Sequence, residues 1–104
     1  MTQYILDGHT PKRCDDPILF MQWRRTASRR VAQDDINWVS VSTVFLGIDH
    51  GFGHGPPILF ETMVFGGVLD QEQERYATWE EAEAGHAAMV VRVKESESWP
   101  EDLG

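Results

Sequence analysis

At 104 residues with 41% hydrophobic content, the chain is sized for one domain with one core. Its apolar runs are only a few residues long, so no segment reaches the roughly 20 residues of a transmembrane helix, and the first sixteen residues lack the apolar stretch of a secretory signal. The net charge of −8 opposes contact with nucleic acid as a bare polyanion, and the single cysteine, Cys14, leaves no partner for an internal disulfide and no Cys-based zinc motif.

That charge is uneven along the sequence. Residues 1–34 hold six of the nine basic residues against four acids, whereas residues 35–104 hold three against thirteen. An acidic surface keeps a chain soluble, and it also steers basic partners, including nucleic-acid-binding proteins.

In chain order, Gln3 to Leu6 reads as a first strand closed by the turn dipeptide Asp7-Gly8. A loop with Pro11 follows. Asp16-Pro17 then marks a helix start, because an Asp N-cap accepts orphan N–H groups and proline loses nothing at the first helical position. The spacing of Phe20, Trp23, Ala27 and Val31 predicts a helix from Pro17 to about Arg30 with these residues facing the core. Between Asn37 and Ile48, Val39, Val41, Thr43 and Phe45 alternate with serines, the pattern of a half-buried strand. Residues 58–65 repeat that pattern, so the two runs are expected to form an antiparallel hairpin. Glu74 to Ala77 is expected as a fourth strand. Thr78-Trp79-Glu80-Glu81 fits a capping box and opens a helix over 79–94, with Ala82, His86, Met89 and Val93 as its apolar stripe. Residues 96–104 read as a flexible acidic tail after a single domain over 1–95. The expected fold class is α+β, in the order β-α-β-β-β-α, with an antiparallel sheet of about four strands and both helices on one face.

Chemistry is most concentrated in the hairpin connection Asp49-His50-Gly51-Phe52-Gly53-His54-Gly55-Pro56-Pro57, far longer than the two residues such a turn needs. Its glycines permit an anion-binding backbone concavity, although no lysine or helix start accompanies them. His50 and His54, with Asp49, His9, Glu61 and His86 as further donors, are ligand types that a first-row metal accepts, but glycines and prolines exclude the helix on which a His-x-x-x-His pair shares a face. Phe52, the only aromatic of the loop, is the candidate binding anchor. Glu61 lies mid-strand among apolar residues, where an ionised carboxylate needs a histidine or arginine partner. His86 reads as a hydrogen-bonded core histidine. Glu80, Glu81 and Glu83 form an acidic helix face. No nucleophile motif is present, no cofactor is expected, and no residue is assigned a catalytic role.

The segments Tyr4 to His9, Val41 to His50 (VSTVFLGIDH), Gly55 to Gly67 (GPPILFETMVFGG) and Arg75 to Ala82 with Gly85-His86 together resemble a group of short proteins carried by bacteriophages and prophages. The resemblance spans most of residues 4–94 and assigns no activity. It implies a bacterial host cytoplasm and an accessory role. The leading expectation is therefore a non-enzymatic protein that binds and modulates a host factor, such as an antiviral defence system, with a homodimer left open. The alternatives are a nucleotide- or metal-binding protein or enzyme built on the 49–57 loop, and a minor phage structural or assembly protein.

Overall fold

The computed structural model describes residues 2–51, 53 and 55–97. Eight elements follow in order: β1 (Tyr4–Asp7), β2 (Thr10–Arg13), α1 (Pro17–Thr26), β3 (Arg30–Ile36), β4 (Val39–Phe45), β5 (Phe60–Phe65), β6 (Gln73–Tyr76) and α2 (Trp79–Ser96). β1 and β2 form a small hairpin, and β3-β4-β5-β6 is an antiparallel four-stranded sheet in sequence order. The α+β class, the four-stranded antiparallel sheet and the two helices are as expected from the sequence.

The alternation in β4 and β5 decides which face is core. Val41 pairs with Val64, Thr43 with Thr62 and Phe45 with Phe60, and all six are fully buried. α2 covers this face with Ala82, His86, Met89 and Val93, the four residues of its apolar stripe, which are its only buried ones. Two packed groups result: Val39, Val41, Val64, Met89 and Val93 at one end, and Phe45, Leu59, Phe60 and Ala82 at the other. α1 lies against β1 and sends Trp23 edge-on to Phe45, with ring centroids 5.7 Å apart.

Both helix starts form as their residue types dictate. The Asp16 carboxylate accepts from the N–H groups of Ile18 and Leu19. Thr78 accepts from the Glu81 N–H, and the Glu81 carboxylate takes the Thr78 N–H in return.

Three departures from the sequence reading matter for the site. Residues 10–13 are a strand despite Pro11, which is tolerated because a two-stranded ribbon is all edge. α1 stops at Thr26, where the Ala27 N–H donates to the Trp23 carbonyl, and residues 30–36 are an edge strand rather than the end of the helix. Val31 still reaches the core, but from β3. The strand expected over 37–48 is confined to 39–45: Asn37 takes a left-handed conformation (φ 54°) and turns a tight hairpin from β3 into β4, and Gly47, also at positive φ (80°), breaks the extended backbone just past the other end. The acidic tail falls largely on residues 98–104, outside the described residues.

Candidate functional site

The expected site residues lie in three separate places. Asp49 closes the base of the long connection: one carboxylate oxygen accepts from the Gly51 N–H at 2.8 Å and the Ile58 N–H at 2.9 Å. These bonds hold its carboxyl below the usual carboxylate range. The His50 N–H donates to the Ile58 carbonyl, so the backbone here continues the hairpin past the end of β4. Gly53 and Gly55 both have positive φ, 84° and 75°, the backbone freedom for which glycine is suited. Phe52 and His54 are outside the described residues. Among the described residues, no three His, Cys, Asp or Glu side chains gather to hold a metal.

Glu61 points away from the core, into the open face of the sheet, where its Oε2 accepts from Arg75 Nε at 2.9 Å across the β5–β6 pair. That is the partner its position calls for. The face around it carries Ser40, Ser42, Met63 and Phe65, the last half exposed. Glu80 and Glu83 are exposed on α2, while the Glu81 carboxylate is occupied in the capping box. The sheet separates the Glu61 side chain from α2, so these acids do not form one surface with it.

Sequence reasoning missed a polar thread through the core. Thr62 and Thr43 share a short hydrogen bond, Thr43 Oγ1 lies 2.7 Å from His86 Nδ1, and His86 Nε2 lies 2.7 Å from Asp34 Oδ2. One direction of donation satisfies every link: Thr62 to Thr43, Thr43 to Nδ1, and Nε2–H to the Asp34 carboxylate. The residue types match a hydroxyl–imidazole–carboxylate relay. Both threonines are 0% exposed and His86 is 4% exposed, so no substrate carbonyl can reach the hydroxyl, and the thread ties α2 to β3, β4 and β5 instead. The reading of His86 as a satisfied core histidine holds. The available signal was that the alternation already placed Thr43 and Thr62 on the core face.

Beside the thread, Tyr76 lies under α2 at Gly85, where a Cβ would sit 2.2 Å from the phenol oxygen. Burial raises the Tyr76 pKa, and the nearby Thr62 hydroxyl only partly offsets it. The Tyr76 hydroxyl and the Trp79 indole N–H have no hydrogen-bond partner among the described residues, Thr62 standing outside bonding geometry. Trp79 is held by stacking: the His9 ring lies 3.8 Å away and 6° from parallel, joining the β1–β2 hairpin to the start of α2.

The sequence reading also passed over the outer side of α1 and the turn after it. Ile18, Leu19 and Met21 are 69%, 49% and 62% exposed, and only Phe20 is fully buried from this helix. After Thr26 the chain reverses through Ala27 and Ser28 into β3, leaving an open cleft of about 370 Å³ lined by Arg24, Ala27, Ser28, Arg29, Arg30 and Val44. The assumption that α1 runs on to Arg30 concealed it, since a continuous helix would spread these arginines around its circumference.

Comparison with protein families, with curated proteins and with solved structures returns no match. The phage resemblance therefore rests on its quoted segments alone. No helix among the described residues is long and apolar enough to cross a membrane.

Proposed function

We propose that this chain is a phage-encoded accessory protein that acts by binding and modulating a host protein, a component of antiviral defence being the most concrete target. The observation that carries this reading is the outer face of α1. A ten-residue surface helix ordinarily hides its large apolar side chains, yet Ile18, Leu19 and Met21 stand in solvent here. Ile18 and Met21 are three residues apart and so lie side by side, a spacing suited to anchoring in an apolar pocket of a partner. The net charge of −8 would steer the chain toward a basic partner such as a nucleic-acid-binding complex. A catalytic role has less support, because the relay-like arrangement among the described residues buries its hydroxyls and its imidazole and exposes only the Asp34 carboxylate.

The test is site-specific crosslinking in host cells from Met21, with exposed Ala84 on α2 as the control, followed by reconstitution of the captured pair from purified proteins. The expected result is a partner captured from Met21 only, whose one-to-one complex weakens about tenfold or more, roughly 1.4 kcal/mol, in Ile18→Ser/Met21→Ser. An unaffected complex would overturn the reading and move attention to the 49–57 loop and the acidic face at Glu80 and Glu83. A homodimer in light scattering that the same substitutions dissociate would assign the face to a second copy instead.

A further inference from the structure

We propose that the cleft between the end of α1 and the start of β3 binds a small phosphate-bearing molecule of about mononucleotide size. This site is distinct from the apolar face of α1 and does not depend on the partner-binding reading.

The first ground is charge. Of the nine basic residues, five have no carboxylate within ion-pair distance among the described residues, and four of those five, Arg24, Arg25, Arg29 and Arg30, fall within seven positions of one another around the end of α1. Lys12, Arg13, Arg75 and Arg92 each sit within 3.3 Å of a carboxylate oxygen. Arg24, Arg29 and Arg30 line one cleft, and among the described residues none has a carboxylate within ion-pair distance, although Arg30 is near enough to Asp35 to add to the lowering of that carboxyl's pKa. The negative end of the helix dipole accounts for Arg24 in the last turn of α1. It does not account for Arg29 and Arg30, which lie beyond the helix.

The second ground is rigidity. The Phe45 N–H donates to the Arg29 carbonyl at 2.7 Å, Arg30 is registered opposite Val44, and the Arg24 guanidinium lies 5.7 Å from the centre of the Phe20 ring. The backbone that presents all three guanidinium groups is thus fixed before any ligand arrives, which lowers the ordering cost of binding.

The third ground is the match of size and charge. A volume of about 370 Å³ is at the small end for organic ligands, and three forked guanidinium groups suit the several oxygens of a phosphate dianion. Ala27 and Val44 offer apolar surface to the organic remainder. An extended polyanion would bring many phosphates against a chain of net charge −8, so one compact anion is favoured over a nucleic-acid duplex.

Calorimetric titration of the full chain tests this, with a nucleoside 5′-monophosphate as the probe. Inorganic phosphate, the unphosphorylated nucleoside, a phosphoserine peptide and a short DNA duplex are run beside it. The monophosphate is expected to bind, inorganic phosphate to compete with it, and the nucleoside to give no heat. Arg29→Gln/Arg30→Gln should weaken the monophosphate about tenfold or more without moving Tm, and Ser28→Asp, at an exposed turn position, should abolish binding by adding an anion to the cleft. The Ser28 variant decides the matter if the arginine variant is unstable. The proposal fails if the monophosphate does not bind, if the nucleoside binds equally well, if neither variant changes the affinity, or if the peptide or duplex binds more tightly than the monophosphate.

Discussion

Two polar clusters in this protein are opposites. The thread from Thr62 through Thr43 and His86 to Asp34 lies mostly inside the core, and every side chain in it has a partner. The cluster of Arg24, Arg29 and Arg30 lies around an open cleft, and among the described residues none of its guanidinium groups is within ion-pair distance of a carboxylate. Before the surroundings are known, an Asp, a His and two Thr look more like machinery than three arginines do. Burial reverses that ranking. Polar groups that satisfy one another in a closed interior hold elements together, whereas charges fixed at a surface without partners remain available to a ligand.

The contrast is open to attack at several points, beginning where the largest effect is expected. Thr43→Val keeps shape but leaves His86 Nδ1 and the Thr62 hydroxyl buried without a partner, costing roughly 1–3 kcal/mol for each group in urea unfolding. Thr43→Val/Thr62→Val should then be more stable than the single variant, because the orphaned hydroxyl is gone. A double variant less stable than the single one would show that the thread is not a chain of mutual satisfaction. Gly85→Ala drives a methyl group into Tyr76 and should cost about 1–3 kcal/mol, recovered in part by Tyr76→Leu. Additive losses in that cycle would place the conflict elsewhere.

Smaller effects are expected at the surface. Thr78→Ala removes a formed capping box, so a loss of about 0.5–2 kcal/mol is expected with the fold unchanged. For Asp49, folding lowers the carboxyl pKa from an ordinary 3.8, so its contribution to the loop base is present above that value and is lost as pH falls through the lower folded value. The amide resonances of Gly51 and Ile58 should shift together below about pH 4, and Asp49→Asn should abolish that shared titration. Least of all, Arg29→Gln/Arg30→Gln should leave Tm where it is, since the cleft contributes ligand contacts rather than stability. A marked fall in Tm would make these arginines structural and erase the contrast with the core thread.

Local chemistry was legible in the sequence wherever a signal is complete within a few residues. Asp16-Pro17 and Thr78 to Glu81 specify helix starts because the cap and the N–H groups it satisfies are at most three residues apart. The alternation in Val39–Phe45 and Phe60–Phe65 gave strand, buried face and pairing, and the 3.6-residue period of α2 gave its four buried side chains. Glu61 advertised its need for a partner, which Arg75 supplies.

Tertiary structure decided what depends on distant neighbours. Gln33, Asp34 and Asp35 carry no periodic signal and fall in no element expected from the sequence, and β3 exists because β4 offers it a ladder of hydrogen bonds and an edge where charge is tolerated. The same pairing ends α1, since residues 30–36 cannot serve both a helix and that ladder. It also brings Asp34 to His86, 52 residues away, and gathers Arg24, Arg29 and Arg30 around one cleft. A period in the sequence reports which side of an element is apolar. Which polar groups meet across the core, and which are left facing water, is settled only when strands from different parts of the chain compete for the same hydrogen bonds.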